Sequence, residues 1–116
     1  MSLAALTLWA TGNAAEAPRV VVTILPVHSL VAGVMAGIGT PDLLIEGAGS
    51  PHGYAMRPSQ ARALHRADLV FWIGGELESF LRRPLKALPA GARIVTLHEA
   101  RGVLPLRFRI GDLETA

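Results

Sequence analysis

The stretch Arg19-Val-Val-Val-Thr-Ile-Leu25 decides the fold class. It is an unbroken run of β-branched and aliphatic residues, whereas a strand with one face in water alternates between apolar and polar residues. A continuous run of this length is typical of a strand that is buried on both faces of a sheet. It therefore predicts the first strand of an α/β protein.

The residues that follow this strand change to a helical pattern and then back to a strand pattern. Pro26 is tolerated at a helix start, and apolar residues at helical spacing predict a helix from Val27 to Ala36. Gly37 and Gly39 end that pattern. Asp42 to Ile45 predicts a short second strand.

The same alternation continues to the end of the fourth strand. A helix is predicted over 58–67, a third strand over 68–73, an apolar helix face over 77–88 and a fourth strand over 93–97. Pro84 lies inside the third helical pattern and should kink it or divide it. Strands that alternate with helices imply right-handed crossovers, so we predict a four-stranded parallel sheet with helices on both faces.

Composition limits the function classes. The chain has 116 residues, enough for one domain with a modest core, and 51% of them are hydrophobic against 17% charged. The net charge of +2 is scattered along the sequence and only 5% of residues are aromatic, so nucleic-acid binding is not supported. There is no Cys, which excludes disulfides and thiolate ligands.

The N-terminus has the pattern of an export signal over residues 1–17. Leu3 to Ala10 is a short apolar run, and small residues follow it where a signal peptidase would cut, after Ala14, Ala15 or Ala17. No Lys or Arg precedes the run, which departs from a standard signal. The run is also shorter than the roughly 20 residues needed to span a bilayer.

A polar, turn-rich loop, Glu46 to Pro58, follows the second predicted strand and is centred on His52. We call it the His52 loop. Glycines and a proline surround the imidazole, so the backbone cannot easily continue as helix or strand through it. Pro51 also restricts the backbone just before the imidazole. A histidine presented from a partly fixed loop suits a ligand, although one histidine alone does not make a metal site.

Three other side chains follow predicted strands and share that edge of the sheet. His28 follows the first strand, Glu76 the third and His98 the fourth, and ligands of open parallel sheets bind outside the carboxyl ends of the strands. Each also has a structural explanation. His28 suits a partly buried structural role, His98 a helix start, and Glu76 the positive end of a helix dipole.

Motifs of common catalytic sites are absent. The sequence has no complete dinucleotide fingerprint, no phosphate loop and no nucleophile elbow around Ser50. A hydrolase is not supported. A small α/β enzyme that uses His52 with Glu76 or Asp68 in acid–base work stays open as an alternative.

Four motifs in order resemble a known family, the zinc-binding periplasmic solute-binding proteins of bacterial ABC transporters. They lie at 22–32 (Val-Thr-Ile-Leu-Pro-Val-His-Ser-Leu-Val-Ala), 39–44 (Gly-Thr-Pro-Asp-Leu-Leu), 50–61 (Ser-Pro-His-Gly-Tyr-Ala-Met-Arg-Pro-Ser-Gln-Ala) and 67–74 (Ala-Asp-Leu-Val-Phe-Trp-Ile-Gly). The resemblance covers about residues 20 to 105. It implies one α/β lobe of a two-lobed, non-enzymatic protein that holds zinc in the cleft between its lobes and delivers it to a membrane permease.

The resemblance also implies roles for individual residues. His52 matches a metal ligand of the family, and His28 matches a histidine that would support the metal without binding it. Gly53 stands where the zinc branch usually has Asp, and we do not expect it to be a ligand. Zn²⁺ would be the transported ligand rather than a catalytic cofactor.

The remaining family ligands and the second lobe lie beyond this sequence, and another chain could supply them. We therefore expect an export signal over 1–17, an N-terminal metal-binding lobe over 18–105 and an unassigned tail over 106–116. The chain would act in the periplasm with a permease. Manganese or iron in place of zinc, and a fragment without function, are the alternatives.

Overall fold

A computed structural model describes residues 16–47, 50–51 and 53–106 of the chain. The elements alternate between strand and helix as the sequence predicts. They are β1 (Val20–Val22), α1 (Leu25–Val34), β2 (Asp42–Leu43), α2 (Pro58–His65), β3 (Leu69–Trp72), a first 3-10 turn (Ser79–Leu81), α3 (Arg82–Lys86), β4 (Arg93–Thr96) and a second 3-10 turn (Leu97–Glu99).

The four strands form one parallel sheet in the order β2-β1-β3-β4. Val21 is in register with Asp42 of β2 on one side and with Val70 of β3 on the other, and Val70 is in register with Ile94 of β4. β1 is therefore an inner strand with neighbours on both sides. The predicted four-stranded parallel sheet is confirmed.

Successive side chains of β1 point to opposite faces of the sheet, and both faces are covered. Val20 and Val22 pack on the side of α1, together with Met35. Val21 packs on the other side with a larger cluster from β3, α2, the first 3-10 turn and α3, whose members include Leu64, Val70, Leu81 and Leu85. Helices on both faces are thus confirmed, and they explain why β1 is a continuous apolar run.

The third helical pattern, over 77–88, forms two short pieces rather than one helix. The first 3-10 turn ends at Leu81 and α3 begins at Arg82. Pro84 is then the third residue of α3, where a backbone N–H would have no partner inside the helix, so a proline is tolerated there. The segment is divided, as one of the two predicted outcomes, although the division falls before Arg82 and Pro84 lies inside α3.

The face of the sheet covered by α1 is only partly closed. A groove of about 310 Å³ between α1 and the sheet is lined entirely by apolar side chains, among them Val31 and Phe71. Leu30 and Val34 beside it are 73% and 81% exposed. Exposed apolar surface is expected for one lobe of a larger protein and also for a fragment.

No helix within the described ranges is both long and apolar enough to cross a bilayer. The export signal predicted for residues 1–17 lies almost entirely outside those ranges, and it stays a prediction. The predicted boundary of the lobe at residue 105 and most of the predicted tail over 106–116 also stay predictions.

Two leucines in helices test this core. Leu64→Ala should lower the free energy of unfolding by about 2–5 kcal/mol, because Leu64 is 1% exposed and its loss leaves a cavity beneath β1 and β3. Leu30→Ala makes the same change on the exposed side of α1 and should cost less than about 0.5 kcal/mol. Urea unfolding of the chain measures both, and equal losses would contradict this description of the core.

Candidate functional site

The carboxyl ends of β1 and β3 meet at the switch point of the sheet. From β1 the chain goes to β2 on one side, and it later returns to place β3 on the other side. In open α/β sheets ligands bind in the crevice at this point, outside the strand ends. The residues that close β1 and β3 therefore decide what the crevice can hold.

Thr23 follows β1 and is fully buried at this point. Its backbone N–H donates to Phe71 O of β3 at 3.2 Å, and its carbonyl accepts from Ile45 N, just past β2, at 3.0 Å. Its hydroxyl donates to the Glu78 carboxylate. One residue thus joins the strand ends on both sides to the turn that follows β3.

Glu78 fills the crevice beside Thr23 and is also fully buried. Oε2 accepts from Ile73 N at 2.7 Å and from Gly74 N at 3.1 Å, while Oε1 accepts from Thr23. All three partners are donors, as suits a carboxylate, which can only accept. The sequence pattern points to Glu76 in the same turn, but Glu76 is exposed and Glu78 is the buried carboxylate in the crevice.

The His52 loop is fixed at both of its ends by Gln60 of α2. Gln60 Nε2 donates to Leu44 O at 2.7 Å, just before the loop, and to the Tyr54 hydroxyl at 2.5 Å inside it. Gln60 Oε1 accepts from Arg57 N at 2.8 Å, just before α2. The Tyr54 ring also lies 5.3 Å from the ring of Phe80, between centroids. The residues before the loop and its last part, from Tyr54 to Arg57, are therefore held in place by α2 and Phe80.

His52 itself lies outside the described residues, and its role as a metal ligand stays a prediction. The residues on either side are described. Pro51 is half-buried and Gly53 is exposed. The loop that carries His52 therefore leaves the sheet at its carboxyl edge, next to Ile45 and Thr23.

His28 and His98 each commit one ring nitrogen to a backbone carbonyl. His28 Nε2 lies 2.9 Å from Pro41 O, and His98 Nδ1 lies 2.8 Å from Ile73 O. Because a carbonyl only accepts, both nitrogens must carry a proton, and neither can bind a metal in that state. His28 thus ties α1 to the segment that enters β2, and its predicted place beside the metal is untested.

His98 lies in the second 3-10 turn, as expected for the start of a short helical segment. Its ring packs against Gly74, where an added Cβ would overlap the imidazole. His98 and Glu76 line a groove of about 460 Å³ at this edge of the sheet, together with Leu77 and Leu106. The predicted convergence of His98 and Glu76 is therefore seen.

Asp68 lies at the opposite edge of the sheet, before β3. Its Oδ2 accepts from Arg19 N at 2.7 Å, and its carbonyl accepts from Arg93 N at 2.9 Å. Asp68 thus joins the amino ends of β1, β3 and β4, through its carboxylate on one side and its backbone carbonyl on the other. The four residues of β3 separate it from Glu76, and the His52 loop begins at the carboxyl edge with Glu76 and not at the amino edge with Asp68.

Among the described residues, no group of three or more His, Asp or Glu side chains could hold a metal ion. Zinc is usually held by four ligands in structural sites and by three in catalytic ones. A metal site that includes this lobe would therefore need ligands beyond the described residues.

Comparisons with known proteins agree on one family. The family model described as zinc-uptake complex component A periplasmic (ZnuA) matches residues 20–115. High-affinity zinc uptake system protein ZnuA from Brucella abortus is 46% identical over 98 residues, covering 84% of this chain and 29% of the relative. The protein of the same name from Yersinia pestis is 34% identical over 116 residues, covering all of this chain and 36% of the relative.

Solved structures share the fold. A Mn-bound periplasmic metal binding protein from Candidatus Liberibacter asiaticus has a TM-score of 0.70 at 21% identity, covering 82% of this chain and 35% of that one. The Zn(II)-bound ZnuA-like domain of Streptococcus pneumoniae AdcA has a TM-score of 0.61 at 20% identity, covering 68% and 30%. The chain thus spans about a third of the length of the proteins it matches.

The loop anchor can be tested through Gln60. Gln60→Ala removes the donor to Leu44 O and the acceptor for Arg57 N, so it should lower the free energy of unfolding by about 1–3 kcal/mol. Amide exchange at Arg57 should also become faster. Ser59→Ala, the neighbouring change on the exposed side of α2, should leave Arg57 exchange unaltered. Exchange that is equally fast in both variants would contradict the anchor.

The close approach of Gly74 and His98 gives a second test. Gly74→Ala would place a methyl group against Nδ1 and Cε1 of the ring and should cost more than about 2 kcal/mol of stability. Gly91→Ala, where nothing lies within 4 Å of the added Cβ, should change stability by less than about 0.5 kcal/mol. Thermal unfolding compares the two, and a Gly74→Ala protein as stable as Gly91→Ala would rule out the contact.

Proposed function

Because this chain belongs to the periplasmic zinc-uptake component A (ZnuA) family, we propose that it is one lobe of the substrate-binding component of a high-affinity zinc uptake ABC transporter. The observation that carries the proposal is the family match over residues 20–115. Identities of 46% and 34% to named zinc-uptake proteins support it. The lobe would capture zinc in the periplasm and pass it to a membrane permease.

His52 is the residue of this chain that would bind the metal. A neutral imidazole is a good zinc ligand, with Zn–N distances of about 2.0–2.1 Å. The loop around it is anchored through Gln60 and begins next to Thr23, so the imidazole would be presented from a backbone held at the carboxyl edge. Other ligands would come from a second lobe, and this chain alone would bind zinc weakly.

Zinc is favoured over manganese or iron as the cargo. The curated relatives quoted above are named for zinc uptake. Imidazole suits zinc, whereas manganese prefers sites richer in carboxylate oxygens. Solved proteins of the same fold include both Mn-bound and Zn(II)-bound examples, so manganese stays the principal rival.

The lobe would bind and release its cargo without catalysis. A binding lobe needs an accessible ligand, not a general acid and base matched across one site. The position of Asp68 at the amino edge supports this view, because the His52 loop begins at the opposite edge, which argues against the pair of His52 and Asp68 that the sequence left open. The export signal proposed for residues 1–17 would bring the chain to the periplasm.

A zinc titration with a chromophoric competitor tests the role of His52. His52→Ala should weaken zinc binding at least about tenfold, since changes that only disturb a ligand's orientation already cost 10- to 100-fold. His65→Ala is the matched control, because His65 lies exposed at the end of α2. It should bind as the unchanged chain does.

The pH dependence of the same titration is a further readout. Imidazole protonates near pH 6.5 and only the neutral form binds metal, so zinc affinity should fall about tenfold between pH 7.5 and 5.5. His52→Ala should lose most of this dependence. If the unchanged chain and His52→Ala bind zinc equally, His52 is not a ligand and the fragment hypothesis is preferred.

A further inference from the structure

We infer that Glu78 is a positioning residue that occupies the crevice between β1 and β3 and holds the start of the His52 loop through Thr23. Three donors of the chain converge on its carboxylate, namely the N–H groups of Ile73 and Gly74 and the Thr23 hydroxyl. They form an anion-binding cradle at the point where open α/β sheets bind ligands. The protein's own side chain takes the ligand's place.

Because Glu78 fills the crevice, a ligand of this lobe would have to bind elsewhere along the carboxyl edge of the sheet. Glu78 is fully buried and each of its oxygens already accepts a hydrogen bond, so it is not offered to a cation in the cleft. The groove lined by Glu76 and His98 lies at this edge beside the ends of β3 and β4, and the His52 loop begins on the other side of the crevice, past β2. If His52 binds the metal as proposed, the ligand is carried by a loop beside the filled crevice and not by the crevice itself; this step rests on the proposed function.

Thr23 carries the effect of Glu78 to the loop. The hydroxyl bond to Glu78 fixes Thr23, and the Thr23 carbonyl accepts from Ile45 N, one residue before the loop starts. On the far side the Thr23 N–H is held by Phe71 O. A change in the Glu78 cradle therefore reaches Ile45 through two consecutive hydrogen bonds of one buried residue.

The charge of Glu78 also argues for a positional role. In the described part of the chain no Lys, Arg or His forms an ion pair with it, since the ion pairs there involve Glu16 and Glu99. A buried carboxylate without a cation is costly unless hydrogen bonds replace its hydration. An apolar side chain would fill this space at lower cost but would leave two N–H groups and a hydroxyl unsatisfied.

Chemical rescue tests the cradle directly. Glu78→Ala should leave a cavity that accepts a small carboxylate, so sodium formate in large excess should restore what the substitution removes. The readout is amide exchange at Ile45 and Gly74, which should become about tenfold faster or more in the variant and return toward the original rate with formate. Sodium chloride at equal ionic strength should restore nothing.

Leu81→Ala is the matched control. Leu81 is buried as completely as Glu78 and lies in the adjacent 3-10 turn, but its loss opens an apolar cavity without donors. Formate should not slow exchange in that variant. Absence of rescue in Glu78→Ala, or equal rescue in both variants, would overturn the inference.

A second pair of variants decides the question if Glu78→Ala does not fold. Thr23→Val keeps the shape of the side chain and removes the hydroxyl, so Ile45 exchange should become faster while exchange at Val95 of β4 stays unchanged. Thr23→Ser keeps the hydroxyl and should restore slow exchange at Ile45. Exchange in Thr23→Val that matches the unchanged chain at Ile45 would overturn the link between Glu78 and the loop.

Zinc titration of Thr23→Val separates this inference from the proposed function. If His52 binds zinc, Thr23→Val should weaken binding while His65→Ala does not. If His52→Ala has no effect on zinc affinity, the proposed function fails. The exchange experiments still decide the role of Glu78, because they contain no metal.

Discussion

The pairing of β1 with β2 on one side and β3 on the other is the interaction on which the other elements depend. An inner strand of a parallel sheet has no edge to expose, and its side chains alternate between two faces that must both be covered. Val20 and Val22 require α1, and Val21 requires the helices on the other side. The same pairing brings the ends of three strands together at Thr23. Core and site are consequences of one buried strand.

Much of this fold can be predicted from local sequence patterns. The unbroken run from Arg19 predicts a doubly buried strand, and alternation with helical segments predicts parallel pairing. These patterns do not predict where each strand ends, because the end of a strand depends on which other segments of the chain it contacts. Ile24 and Leu25 continue the apolar run, yet β1 stops at Val22 since Thr23 turns its side chain to Glu78 and its carbonyl to Ile45.

The centre of the site was harder to predict than its edge. Glu76 and Glu78 lie in the same turn, and only the path of the backbone into the first 3-10 turn decides which carboxylate points inward. One feature of the sequence indicates that a buried polar partner is needed at this point. Thr23 interrupts a wholly aliphatic run, and a hydroxyl buried there needs a polar partner. Gln60 had a similar cue, since a Gln three residues after a helix N-cap commonly accepts from the N-cap N–H.

The histidines show why position along a sheet edge is a weak guide to ligation. His28 and His98 both follow strands, and each donates one ring N–H to a carbonyl, which gives each a structural role that needs no metal. The fold does not choose a metal by itself either, since Mn-bound and Zn(II)-bound proteins share it at about 20% identity with this chain. If the chain acts as proposed, selectivity would come from the full set of ligands and not from the fold of this lobe. In the proposed function, this lobe would hold one loop in place for those ligands, and the buried hydrogen bonds of Thr23 and Glu78 would be the physical means.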